Sequence, residues 1–341
     1  MALRLHKSIV SFLRKRSFLL IALLLVYSAF FFTHLHHTRP TPVLGVSTNL
    51  FLFEEPVAGK DPIVSAINMS TKEVDMEVYL LSDKDVVASL FAACQRGVVV
   101  RVMLEEHPFG GGNVNQKSKQ AFDNSCVHMQ WTNPAYSLTH EKTIVVDNSE
   151  VFILNQNLTT SSFTKNREFD VVDANSVDIL EIKKIFDADW NRTSFSQTND
   201  NLVVSPNSSR EKLSALLSSS TKNIDIEMEV VDDPDIIHLL KSKANTVIIR
   251  LIIPSISQIS ANKKAMVLLQ QSGILVKTLK IPYIHAKLIL VDDKKAYIGS
   301  INFTTQSMDS NREVGIILSQ QDSIGQLNQD FSEDWEKATQ L

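Results

Sequence analysis

The chain has 341 residues, 44% hydrophobic and 21% charged, with a formal net charge of −4. This is the balance of a globular protein with a substantial core, and it excludes a disordered or collagen-like chain. A pI near 6.1 also counts against a protein that grips nucleic acid through the phosphate backbone, which needs a basic surface.

In chain order, residues 1–16 carry five Lys/Arg, ending in Arg14-Lys-Arg16, and lead into Ser17 to Leu35, nineteen residues without formal charge. At 1.5 Å per residue such a run reaches about 28 Å as a helix, enough to cross a bilayer, so a transmembrane anchor is expected over 17–35. Cleavage as a signal peptide is the rival reading. It suits the sequence less well, because Tyr27-Ser-Ala29 has a bulky residue at its upstream position and runs into Phe30-Phe-Phe32. Only Arg39 follows closely, so the positive-inside bias puts 1–16 in the cytoplasm and the rest of the chain on the non-cytoplasmic side. His34, His36 and His37 read as a polar cluster at headgroup level, and 36–48 as a linker.

Beyond it the layout occurs twice. Ser70-Thr-Lys-Glu-Val-Asp75-Met-Glu77 matches Ser220-Thr-Lys-Asn-Ile-Asp225-Ile-Glu227, opening strands near 74–81 and 223–231. Helices follow at about 83–96 and 233–243, then the apolar strands Val98 to Leu104 and Val247 to Ile253. Strands apolar on both faces sit between helices, so each half is expected to be an α/β/α sandwich, with lobes over 49–191 and 202–341 joined by the polar linker 192–201. The first lobe carries an insertion around Pro108-Phe-Gly-Gly-Gly-Asn113, which lacks the setting of a nucleotide-binding loop and reads as a flexible cleft rim. Two cysteines, Cys94 and Cys126, are too few for a disulfide framework and are expected as free thiols.

The chemistry is duplicated too. His140-Glu-Lys142, Asp147, Asn157 and Asn166-Arg167-Glu168 recur, each at an offset of 145, as His285-Ala-Lys287, Asp292, Asn302 and Asn311-Arg312-Glu313. Seven positions matched in register identify two copies of one half-site. Each His-x-Lys enters a β-branched, apolar run that reads as a strand, with His and Lys on one face, followed by a turn, a second strand and a third strand starting at the Arg-Glu pair. Each half is therefore expected to gather an imidazole, an ammonium, a carboxamide and a carboxylate. Facing each other across a pseudo-two-fold axis, the halves suit a phosphodiester: one neutral imidazole attacks phosphorus while the other, protonated, serves the leaving alcohol. Lys and Asn would hold the non-bridging oxygens, so no metal or other cofactor is required. Sequons at Asn157 and Asn302 coincide with these phosphate ligands and read as accidents of the motif.

At these residues the chain resembles the phospholipase D superfamily, whose signature is two copies of H-x-K-x4-D, each followed by a Gly/Asn-Ser-x-Asn segment and a downstream Glu. The resemblance covers about 49 to 338 and implies that His140 and His285 are nucleophile and general acid/base, with Lys142, Lys287, Asn157 and Asn302 on the phosphate. Glu168 and Glu313 would orient the imidazoles, and Asp147 and Asp292 would be structural. Ser300, in Gly299-Ser300-Ile-Asn302, and Asn155, in Asn155-Gln-Asn157, would add substrate contacts. Leu154 stands where the family has Gly and Asn155 where it has Ser, so the half-sites are unequal.

The expected function is a membrane-anchored phospholipase D-type phosphodiesterase that acts on phospholipids through a phosphohistidine, with water or an alcohol as acceptor. A cardiolipin synthase-like phosphatidyltransferase is the first alternative and an endonuclease the second, although Lys263, Lys264, Lys277 and Lys280 are too sparse for a basic groove. A non-catalytic envelope protein with the same fold is the third. With both half-sites in one chain, no oligomer is required.

Overall fold

A computed structural model describes residues 50–110 and 112–340. The basic N-terminus, the expected anchor at 17–35, the linker at 36–48 and Gly111 of the glycine run lie outside them. Among the described residues no helix is long and apolar enough to cross a membrane.

The first half runs β1 (Leu50–Glu55), α1 (Asp61–Met69), β2 (Glu73–Val78), α2 (Lys84–Gln95), β3 (Val99–Leu104), α3 (Val114–Phe122), β4 (His128–Trp131), β5 (Lys142–Val146), β6 (Glu150–Ile153), α4 (Thr160–Lys165), β7 (Asn166–Asp173) and α5 (Ser176–Asn191). The second repeats it as β8 (Leu202–Ser205), α6 (Ser209–Ser218), β9 (Asn223–Met228), α7 (Pro234–Lys243), β10 (Ile248–Pro254), α8 (Asn262–Gln270) and β11 (Leu275–Leu279). It continues through β12 (Tyr283–Ile284), β13 (Lys287–Val291), β14 (Lys295–Gly299), α9 (Thr305–Asp309), β15 (Glu313–Leu318), α10 (Gln321–Lys337) and β16 (Thr339–Gln340). The sheets order as β1-β7-β6-β5-β2-β3-β4 and β16-β11-β10-β9-β13-β14-β15-β8. Matching helices start alike: Asp83 and Asp233 accept the backbone N–H groups of the first turns of α2 and α7, satisfying donors a helix start leaves open.

The outer face of each sheet packs on its own helices, α1 to α4 or α6 to α9, in separate cores. The inner faces do not. Ile179, Ile182 and Ile185 of α5, and Ile324, Leu327 and Phe331 of α10, share one continuous core with residues of both sheets. Two closed sandwiches were expected; the observed layer between the sheets is common to both lobes, because each inner face is apolar and finds its cover in the other. Repeated clamps seat the central helices. Arg101 pairs with Asp75 at 2.7 Å and lies 4.8 Å from the Phe186 ring of α5; Arg250 pairs with Asp225 at 2.7 Å and lies 4.8 Å from Phe331 of α10.

The expectation of free thiols fails. Cys94 of α2 is bonded to Cys126, just before β4, with 5.8 Å between the Cα atoms. Thirty-two residues separate them in sequence, and only the packing of α2 beside the turn after α3 brings them together.

Candidate active site

The two His-x-Lys segments are not uninterrupted strands. β12 pairs with the start of β7 in the opposite sheet, Tyr283 on Asn166 and Ile284 on Arg167, and only from Lys287 does the chain join its own sheet as β13. Thr139 makes the matching bridge to Arg312. Each histidine therefore stands where the chain passes from one lobe's sheet to the other's. The His140 and Glu141 N–H groups donate to the Arg312 carbonyl at 2.9 and 3.0 Å, and the His285 N–H donates to that of Arg167 at 3.2 Å.

This crossing exchanges the carboxylates. His140 Nδ1 is 2.9 Å from Glu313 Oε2, and His285 Nδ1 is 2.7 Å from Glu168 Oε2. Each half was expected to supply its own carboxylate; each instead receives that of the other, because the residue after each crossing Arg is the Glu. The remaining oxygen is held within the Asn-Arg-Glu turn, Asn166 donating to Glu168 Oε1 at 2.9 Å and Asn311 to Glu313 Oε1 at 3.2 Å. The arginines lock the crossing. Arg312 donates to both oxygens of Asp189, in α5, at 2.7 and 3.2 Å, and Arg167 donates to Asp334, in α10, at 2.9 Å. Both are buried interlobe ion pairs, and sequence reasoning gave neither arginine a role.

Lys142 and Lys287 are buried, and each donates to the carbonyl of its own histidine. Asn157 and Asn302 are 8% exposed apiece; Asn302 Oδ1 accepts from the Val230 N–H at 3.2 Å, whereas Asn157 Oδ1 has no hydrogen-bond partner. Asp147 and Asp292 lie at the far ends of β5 and β13. Asp147 accepts the N–H groups of Thr71, Lys72 and Glu73, and Asp292 those of Thr221, Lys222 and Asn223. These bonds hold both carboxyls below the usual carboxylate range against the upward push of burial.

Two expected substrate contacts are turned away. Asn155 is fully buried; its amide donates to the Gly299 carbonyl and its oxygen accepts the Lys287 N–H at 3.0 Å, so it braces the lobes. Ser300 is fully buried on the Val314 backbone. The departure at Leu154-Asn155 has a packing reason. A Cβ on Gly299 would come within 2.4 Å of Gly315 Cα; in the first half the place of Gly315 belongs to Asp170, whose carboxylate takes the Asn155 N–H at 2.7 Å. Both positions differ together.

The halves also differ in a residue the sequence reading passed over. Tyr79 and Glu229 follow Glu77 and Glu227 at the same distance and are held alike: Asn115 donates to the Tyr79 carbonyl at 2.7 Å, Asn262 to that of Glu229 at 2.8 Å. Their side chains oppose each other in character. The Tyr79 ring meets His140 edge-on at 4.7 Å and lies 5.2 Å from Lys142 Nζ. Burial, with the Lys142 charge adding to it, lowers His140 to about 4 despite Glu313, and burial lowers Lys142 to about 7. Glu229 instead places Oε2 2.9 Å from Lys287 Nζ and 3.5 Å from His285 Nε2, and its Oε1 accepts from the Tyr283 hydroxyl at 2.8 Å. Burial alone would raise this carboxyl, but His285 and Lys287 hold it well below its usual range. Extending the repeat at 70–77 and 220–227 by two residues would have exposed the pair.

Glu77, Glu141 and Asp189, all buried, lie close enough together to hold a cation. Asp189 is already engaged by Arg312, and burial pushes Glu141 up to about 7 and Glu77 well above its usual range. Protons balance this trio more readily than an ion would.

The profile of the family described as "Cardiolipin synthase, PLD-like domain" matches residues 63–190 and 213–335. Cardiolipin synthase 1 of Bacillus anthracis is 22% identical over 331 residues, covering 82% of this chain and 65% of that protein. Cardiolipin synthase 2 of the same organism is 31% identical over 133 residues, covering 37% and 26% respectively. The chain thus spans about 65% of the length of the first of these relatives. Among solved structures, phosphatidylserine synthase of Haemophilus influenzae superposes with a TM-score of 0.67 at 12% identity, covering 86% of this chain and 87% of that one, which shows a shared fold.

Proposed function

The chain belongs to the phospholipase D superfamily, in its cardiolipin synthase-like branch, and from that premise we propose that it is a phosphatidyltransferase of the cardiolipin synthase type. The observation that carries this reading is the pair of His–Glu contacts crossing between the lobes, which unites two half-sites with unlike surroundings. His140, held neutral by burial and Lys142, keeps its proton on Nδ1 and donates it in a hydrogen bond to Glu313, which leaves the Nε2 lone pair free. It attacks phosphorus, the bond to the leaving alcohol breaks, and that oxygen takes a proton from His285 Nε2. Glu168 holds the second ring in place.

An acceptor alcohol then gives its proton to His285 and attacks phosphorus as the P–N bond to His140 breaks. Lys142, Lys287, Asn157 and Asn302 take the charge on the non-bridging oxygens, and no step calls for a metal. Cardiolipin is a glycerol bearing two phosphatidyl groups, so the acceptor is the glycerol headgroup of phosphatidylglycerol. The relatives' names support transfer to an alcohol over hydrolysis. Ser17 to Leu35 supports a place at the membrane, and the Cys94–Cys126 bond supports the oxidising, non-cytoplasmic side.

The test is to incubate the full chain with phosphatidylglycerol vesicles in EDTA and resolve the lipids. Cardiolipin with released glycerol is the expected outcome. Phosphatidic acid alone would make the protein a hydrolase, and turnover that appears only when Mg²⁺, Ca²⁺ or Zn²⁺ is restored would remove the metal-free mechanism.

A further inference from the structure

We propose that Glu229, oriented by Tyr283, reads the hydroxyl next to the reacting oxygen of the alcohol on the His285 side, and so selects vicinal diols such as a glycerol headgroup over simple alcohols. This rests on the transferase reading above. The fold does not need a carboxylate here: Tyr79 occupies the matching place in the first half on the same backbone brace. The backbone brace therefore does not dictate an acid beside the catalytic pair.

Position identifies what it would touch. The alcohol that exchanges a proton with His285 must lie within hydrogen-bond reach of Nε2, and Glu229 Oε2 is 3.5 Å from that nitrogen. An oxygen on the neighbouring carbon falls beside the carboxylate. A carboxylate offers about four acceptor sites; here Tyr283 uses one on Oε1 and Lys287 one on Oε2. The side chain keeps 14% of its surface exposed. Charge decides between a hydroxyl and an ammonium as the guest. The Glu229 charge is already matched by Lys287 at 2.9 Å, and a second ammonium would be repelled by the first, whereas a neutral hydroxyl needs only a free lone pair. Tyr283 fixes which edge stays open.

The experiment is a competition. The full chain is given phosphatidylglycerol vesicles with equal 1,2-propanediol and 1-propanol, alcohols that differ by the neighbouring hydroxyl alone, and phosphatidylpropanediol, phosphatidylpropanol and phosphatidic acid are measured by mass. Their ratio is independent of how much enzyme is folded or how fast it turns over. The native protein should favour the diol by about tenfold, the scale of one hydrogen bond to a charged group. Glu229→Gln, whose amide turns its oxygen to Lys287, should bring the ratio near one, and Tyr283→Phe should reduce it by part of that. Native protein without preference, or an unchanged ratio in either active variant, overturns the inference and leaves the transferase reading standing. No phosphatidyl product of any kind from native protein overturns both.

Discussion

In the first half of the site Tyr79 lays an aromatic ring against His140 and Lys142; in the second, Glu229 sets a carboxylate against His285 and Lys287. The scaffold beneath is the same down to the buried Asn that braces each backbone. An apolar neighbour leaves the burial of a base uncompensated and keeps it neutral, while an acid gives a cation its counter-charge. Duplication thus built a symmetric frame in which two identical imidazoles meet unlike neighbours.

The sharpest way to break that comparison is to remove each ring. His140→Ala and His285→Ala should both lose phospholipid turnover by about 10⁴-fold. A p-nitrophenyl phosphodiester, whose leaving group needs no acid, separates them. By rapid quench His285→Ala should still form labelled phosphoenzyme and His140→Ala none. Label on His285 would reverse the assignment.

Next come the interlobe arginines. Removing one partner of a buried pair costs about 3–5 kcal/mol, and both arginines face more than one buried carboxyl. Arg312→Met leaves Asp189 beside Glu77 and Glu141, and Arg167→Met leaves Asp334 beside Glu227. Urea midpoints should therefore fall in both variants; an unchanged midpoint in either would mean that its ion pair adds nothing to the joining of the lobes.

The disulfide belongs to the first lobe alone. Cys94→Ser should lower unfolding stability by about 3 kcal/mol, read by thermal denaturation, and dithiothreitol should do the same to native protein but nothing to the variant.

The smallest effect is on pH dependence. Burial and the Lys142 charge lower His140 to about 4, so its lone pair persists down to that pH, and kcat/KM should fall only below about 4. A limb near 6.5, where an ordinary imidazole titrates, would show that the Tyr79 side is not apolar enough to matter. On the alkaline side, phosphate binding favours protonated Lys142, lowered to about 7 by burial. Binding of a phosphodiester analogue at pH 7.5 should therefore take up protons, measurable by calorimetry in buffers of different ionisation enthalpy.

Much of the fold was legible because duplication writes the same restraint twice: matched strands and helices and the His, Lys and Glu sets all stand at fixed offsets, visible without any contact. Periodicity could not say that the inner faces share one core, since an apolar face looks the same whatever covers it. Asn155 and Ser300 were misplaced for a related reason. A polar residue beside a motif reads as a ligand until its partners are seen, and theirs are the backbone groups of Gly299, Lys287 and Val314.

The residue types of the chemistry are properties of the sequence: two imidazoles, two ammoniums and two carboxylates in register, with nothing further required to place the chain in its superfamily. Which carboxylate serves which imidazole was decided only in three dimensions, where the segment before each histidine pairs with the opposite sheet and delivers Glu313 to His140 and Glu168 to His285. The same holds for the unlike surroundings of the two rings. Sequence records a residue's identity, but the charge state of a buried base is set by every group within a few ångströms, and those groups come from both lobes.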